Sequence, residues 1–162
     1  EEPVEAPKEK QQETEAWELP HKATEPERVQ QEPIRETRSG AGNSYNEYLL
    51  ARIAMAEAEG ESIEGKAMVI RVVLNRKESS AFPDTIEGVI FEDGQFTPVE
   101  NGRFERVEPD AECWAALNMV LIDEWDESEG ALYFEAIYNG EETWHSENLE
   151  YIKTVGNHNF YR

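Results

Sequence analysis

Leu50-Ala51-Arg52-Ile53-Ala54-Met55-Ala56-Glu57-Ala58-Glu59-Gly60-Glu61 is a largely apolar stretch that closes on three carboxylates within five residues. Leu49, Leu50, Ile53 and Ala54 recur at helical spacing, which predicts a helix from about 45 to 57. Ser44-Tyr45-Asn46-Glu47 has the capping-box spacing at its start, and Gly60 is its natural stop. Glu57 falls four residues after Ile53, on the same face as the apolar stripe. A carboxyl in that position is partly withdrawn from water. Its pKa rises and it keeps its proton near neutrality.

Working outward, Ser62 starts a second helix, whose face of Ala67, Ile70, Val73 and Leu74 runs to about Lys77. Val69 and Val72 widen that face, so this helix is expected to be buried on much of its circumference. Asp84-Thr85-Ile86-Glu87 caps a short helix to about Ile90, and Asp93-Gly94 is a turn signal with Gln95-Phe96-Thr97 extended after it. Pro109 suits the first position of a helix carried by Ala111, Trp114, Ala115, Leu117, Asn118, Val120 and Leu121 to about 123. Ala131-Leu132-Tyr133-Phe134 reads as a strand. Tyr151-Ile152-Lys153-Thr154-Val155 and His158-Asn159-Phe160-Tyr161, joined at Gly156-Asn157, read as a hairpin. Helices first and short strands after them make an α+β fold.

Composition divides the chain. Of 162 residues, 36 are acidic and 15 basic, a net charge of −21, and the apolar fraction is 38%. Residues 1–43 hold five of the eight prolines and few large apolar side chains, so they cannot bury enough surface to offset chain ordering. They read as a disordered acidic linker ending in the flexible joint Ser39-Gly40-Ala41-Gly42. Residues 44–162 hold three of the four tryptophans and read as one compact domain. A chain that opens on Glu1 fits a removed signal peptide or membrane anchor before an extended stalk, and equally a cytoplasmic chain cut short; the extracytoplasmic reading is the expectation. Apart from such an anchor no membrane contact is expected, since no run of eighteen apolar residues occurs. The shortage of Lys and Arg argues against nucleic acid as a partner, and none is expected.

Three kinds of chemistry compete for the polar residues. A protonated, desolvated Glu57 is what a general acid for cleaving a sugar linkage requires, although in so acidic a chain it could equally be an ordinary Glu with its stem on apolar surface. Gln95, Phe96, Tyr133, Phe134, Trp144, Tyr151, Phe160 and Tyr161 form an aromatic and amide cluster of the kind that stacks and hydrogen-bonds sugars, with core packing as the competing role. His145, Glu147 and His158 could meet in space, but their spacing is not that of a metal site and no HExxH occurs, so neither metal nor cofactor is expected. Cys113 is the one cysteine and has no neighbouring cation to favour its thiolate.

Several motifs then fall in one order. The 50–61 segment resembles the opening of the SleB/CwlJ-type cell wall hydrolases, the spore cortex-lytic enzymes. Gly65 and Val72-Val73-Leu74-Asn75-Arg76 resemble that family's second helix. Phe82-Pro83-Asp84-Thr85-Ile86, Val89-Ile90, Gln95-Phe96-Thr97-Pro98-Val99, Asn101-Gly102, Ala131-Leu132-Tyr133-Phe134 and the closing 152–162 segment follow. The resemblance covers about 48 to 162. It implies a lysozyme-like α+β fold, of the lytic transglycosylase and resuscitation-promoting-factor type. It also implies cleavage of peptidoglycan glycan strands between N-acetylmuramic acid and N-acetylglucosamine. It makes Glu57 the catalytic acid, with Glu61 as second choice, and leaves Glu59 standing where many relatives carry Arg. Gln95, Tyr133 and His158 are expected to position the substrate, with Phe96 lining the cleft. A lytic transglycosylase with one acid/base is the leading expectation. A simple hydrolase, a non-catalytic peptidoglycan-binding module and a tethered scaffold are its competitors.

Overall fold

The computed structural model describes residues 41–137 and 142–162, with side chains from Tyr45 onward. The linker reading of the N-terminal stretch therefore lies, up to residue 40, outside the described residues. Helix α1 (Ala41–Ala58) begins upstream of the expected start at about 45. Helix α2 (Ile63–Glu78) is capped by Ser62, whose hydroxyl accepts from the Gly65 amide at 3.2 Å. α3 (Ile86–Ile90) takes Thr85 rather than Asp84 as its cap, and α6 (Ala111–Leu121) takes Asp110, so Pro109 precedes the helix instead of opening it.

The expected extended piece at 95–97 is not extended throughout. Phe96 is the N-cap of α4 (Thr97–Glu100), where Pro98 fits the first turn, and α5 (Arg103–Arg106) follows after Gly102. Strand β1 (Tyr133–Ala136) starts two residues later than the 131–134 expectation. A short helix that no periodicity announced, α7 (Trp144–Asn148), stands between it and the hairpin of β2 (Tyr151–Val155) and β3 (His158–Tyr161). The hairpin has the expected bounds. The sheet is antiparallel throughout in the order β1-β3-β2, pairing Tyr133 with Tyr161 and Ala136 with His158.

Helix α2 is the centre of the molecule. Ala67, Ile70 and Val73 pack in one cluster with Leu50, Ile53 and Ala54 of α1 and Ala116, Leu117 and Val120 of α6. Met68 and Val72, on its other side, pack with Ala131 and Phe160 beneath the sheet. A helix buried on both sides orients everything attached to it. Asn75 Nδ2 donates to Ser128 Oγ at 3.0 Å and to Ala131 O at 2.9 Å, and Arg76 Nε donates to Leu132 O at 2.7 Å. These three bonds hook the entry of β1 onto α2.

The tight α1–α2 connection is held by Lys66, which is fully buried. Its ammonium donates to the Glu59 and Glu61 carbonyls at 3.1 and 2.6 Å and to Glu112 Oε2 at 2.8 Å. The carbonyls of the turn that follows α1 are thus met by a buried cation. No helix among the described residues is long and apolar enough to cross a membrane.

Candidate active site

A cleft of about 750 Å³ runs between the end of α1 and the sheet. Its lining includes Glu57, Arg76, Gln95, Tyr133, Glu135, Trp144, His145 and His158. Glu57 is half-buried, on the last turn of α1. Among the described residues its carboxyl has no hydrogen-bond partner, and burial pushes its pKa up to about 7 against the opposing pull of the Arg76 and Arg103 guanidiniums. A carboxyl with that pKa, open to a cleft, can give a proton at neutral pH and take one back.

The charge that Glu59 appeared to remove is replaced from another element. Arg103, at the start of α5, pairs with Glu59 and donates from Nε to Ala56 O at 3.0 Å, which sets a cation beside the acid.

Glu61, four residues on, has the opposite surroundings. It does not line the cleft. Its oxygens accept from the Asn157 amide at 3.1 and 3.3 Å and from Asn157 Nδ2 at 3.0 Å. Gly156 precedes that contact with φ +57°, and a Cβ there would sit 1.7 Å from Glu61 Oε2, so both the backbone and the space demand glycine. Glu61 also lies 3.6 Å from His158 Nδ1. Burial holds the His158 pKa below the usual imidazole value, with Glu61 pulling the other way. The structure thus gives Glu61 the work of anchoring the hairpin and backing His158.

Gln95, Tyr133 and His158 all line the cleft, as expected. Phe96 does not. At 2% exposure it belongs to the core, where a large ring gains more by full burial than at a wet edge, and it lies 5.0 Å beneath the Arg76 guanidinium. Cys113 is buried beside Met55 with its thiol pushed up to about 11 by burial, which removes it as a nucleophile. His145 and His158 each face a separate carboxylate, and no group of three or more His, Cys, Asp or Glu able to hold a metal occurs among the described residues.

Two lining residues, Glu135 and Arg76, escaped the sequence reading of the site. Glu135 accepts from Thr143 Oγ1 and Tyr161 Oη, both at 2.7 Å, and its other oxygen is 3.2 Å from His145 Nδ1. Thr143 also caps α7, so Glu135 fixes that helix and the exposed Trp144 on it at the cleft edge. Arg76 is 4% exposed and lies among the rings of Phe82, Phe96 and Tyr133. A cation three and four residues beyond Val73 and Val72, on an apolar helical face, was the available signal for Arg76. Nothing local marks Glu135, because the fold brings Thr143, His145 and Tyr161 to it, and His145 stands beside it where the sequence offered only a metal ligand.

The profile of the cell wall hydrolase family matches residues 60–161, beginning just beyond Glu57. Among curated proteins, the spore cortex-lytic enzyme of Oceanobacillus iheyensis is 43% identical over 94 residues, covering 57% of this chain and 33% of that protein. The spore cortex-lytic enzyme of Bacillus subtilis is 36% identical over 104 residues, 64% of this chain and 33% of that one. The chain therefore spans about a third of the length of these two relatives. Among solved structures, the catalytic domain of the Bacillus cereus SleB protein superposes with a TM-score of 0.64 at 32% identity, over 74% of this chain and 91% of that one. The catalytic domain of the germination-specific lytic transglycosylase SleB from Bacillus anthracis gives a TM-score of 0.64 at 31% identity, over 76% and 100%. With the lysozyme-like α+β architecture, the ordered motifs and the profile in agreement, this chain belongs to the cell wall hydrolase family.

Proposed function

We propose that this domain cleaves the glycan strands of peptidoglycan between N-acetylmuramic acid and N-acetylglucosamine, as a lytic transglycosylase in which Glu57 is both acid and base. The observation that carries this reading is the state of Glu57: without a hydrogen-bond partner among the described residues, desolvated, with a pKa of about 7, and facing a cleft of about 750 Å³. Protonated Glu57 delivers its proton to the glycosidic oxygen as the C1–O bond breaks, releasing N-acetylglucosamine as an alcohol. The C6 hydroxyl of the same muramic acid then bonds to C1, and its proton returns to the Glu57 carboxylate. A 1,6-anhydro sugar forms and no water enters. The nucleophile is intramolecular, and its high effective concentration offsets the lack of a second catalytic group. Gln95, Tyr133 and His158 position the sugars, and Trp144 offers an aromatic face at the cleft edge.

A simple hydrolase is the second reading, and Glu135 is what favours it, since two carboxyls normally share that task. Glu135 lines the cleft, but its oxygens are taken up by Thr143, Tyr161 and His145, which leaves it poorly placed to activate water. The names of the relatives and of the B. anthracis neighbour agree with an extracytoplasmic wall substrate. The test is digestion of purified peptidoglycan followed by product masses. Anhydro ends, one water lighter than reducing ends, are expected, with none from the Glu57→Gln protein. Reducing ends would establish the hydrolase. Sacculus binding without soluble fragments would leave only a binding module.

A further inference from the structure

Arg76 has a set of contacts that folding alone does not call for. It is almost wholly buried on α2, yet among the described residues its guanidinium has one acceptor, Leu132 O, on Nε. Its Nη1 is buried with no partner. The rings of Phe82, Phe96 and Tyr133 stand 5.0, 5.0 and 5.6 Å from its central carbon and hold it in place. A buried charge left short of partners is destabilising. The carboxylates whose charge reaches it are Glu92, which also has a buried oxygen without a partner, and Glu57 across the cleft wall.

We propose that Arg76 is a positioning residue for the reaction: it is the fixed counter-charge of the carboxylate that Glu57 becomes on delivering its proton. This rests on the reading of Glu57 as the acid. A single carboxyl that serves as acid and then base must reach both charge states within one turnover. Burial favours only the protonated one. A cation nearby in a low-dielectric wall restores access to the ionised one. Contact would overdo it, since a closed ion pair would keep Glu57 ionised from the start. The three rings and Leu132 O hold Arg76 in place, and it forms no ion pair with Glu57 among the described residues. Arg76 keeps its own protons throughout.

The other groups around Glu57 do not substitute for it. Arg103 of α5 is more exposed and already paired with Glu59. Tyr133 and Glu135 of β1, His145 of α7 and His158 of β3 share the cleft, but none is a permanent cation.

The experiment is the pH profile of peptidoglycan cleavage by the full chain and its Arg76→Gln, Arg76→Lys and Arg103→Gln variants, with folding checked by circular dichroism. Activity needs protonated Glu57 at the outset, so it falls as pH rises through that group's pKa. Arg76→Gln is expected to move this fall upward by about one pH unit and to lower kcat by roughly 10- to 100-fold, with a smaller change in KM. Arg76→Lys, which keeps the charge, is expected to leave the fall in place, and Arg103→Gln to move it less than Arg76→Gln. A folded Arg76→Gln protein with an unmoved profile overturns the proposal. If that variant does not fold, Arg76→Met, which keeps apolar bulk against the rings, takes its place: the same upward displacement supports the counter-charge, and an unmoved profile overturns it. Glu57→Gln separates the two levels. A Glu57→Gln protein that still cleaves removes the acid assignment beneath the proposal. An inactive one beside an unmoved Arg76→Gln profile removes the proposal alone.

Discussion

The two sides of the cleft are built on opposite principles. On the helical side, Glu57 and Arg76 stand out of apolar surface with few partners, the first with none among the described residues and the second with one. On the sheet side nearly every polar group is engaged: Glu135 with Thr143, Tyr161 and His145, and Glu61 with Asn157 and His158. Satisfied networks rigidify, and unsatisfied groups are held ready for something that arrives later. On the proposed reading, the contrast places bond-breaking on the helical side and most substrate contacts on the sheet side, with Gln95 on the connection before α4.

The sharpest way to break that contrast is Glu57→Gln, which should lower the cleavage rate by about 10³-fold while sacculus binding persists. A comparable rate loss from a sheet-side change that leaves binding and folding intact would reverse the division of labour. Next in size is Glu61→Ala. It strands the Asn157 amide and frees the hairpin turn, and urea denaturation should show a loss of about 3 kcal/mol. Its residual activity should keep the wild-type pH at which the rate falls, because Glu61 acts on the sheet and not on the acid.

A third comparison concerns pH and stability. The folded-state pKa of Glu57 is raised to about 7 from 4.5, so its contribution to stability is complete below pH 4.5 and lost as pH rises through 7. Glu57→Gln, with no charge to desolvate, should therefore be more stable than the native protein at pH 8 by about 2 kcal/mol, with the gain fading toward pH 5. Thermal melts at the two pH values check the sign. The smallest effect is expected from Trp144→Ala, which should raise KM for long glycan strands about tenfold through the loss of one stacking face, with the melting temperature close to native.

The same division explains what was legible from the residues. The helical side could be read because its signals are local: apolar spacing placed α1 and α2, Ser62 capped the second, and the register of Glu57 after Ile53 put a carboxyl on the core face. The hairpin was legible through Gly156-Asn157. Phe96 was misplaced because an aromatic beside a turn reads alike whether it faces core or cleft, and the bulk of α1 and α2 around it decides. Glu61 looked interchangeable with Glu57 because a sequence does not show that Asn157, 96 residues away, returns to claim it. α7 and the Glu135 network depend on the same kind of long-range closure. Residue chemistry added what spacing lacked: the amide and rings that suit sugars pointed to Gln95 and Tyr133, and both line the cleft with His158.

The bond between Glu61 and Asn157 also carries a consequence for biosynthesis. Loop closure over so great a separation is slow and comes late, after the helices can already have formed. Until it happens, Tyr133, Glu135 and His158 are not assembled around the cleft that Glu57 lines. On the proposed mechanism, a chain still emerging from the ribosome, or one clipped before its final hairpin, lacks an assembled cleft for its substrate.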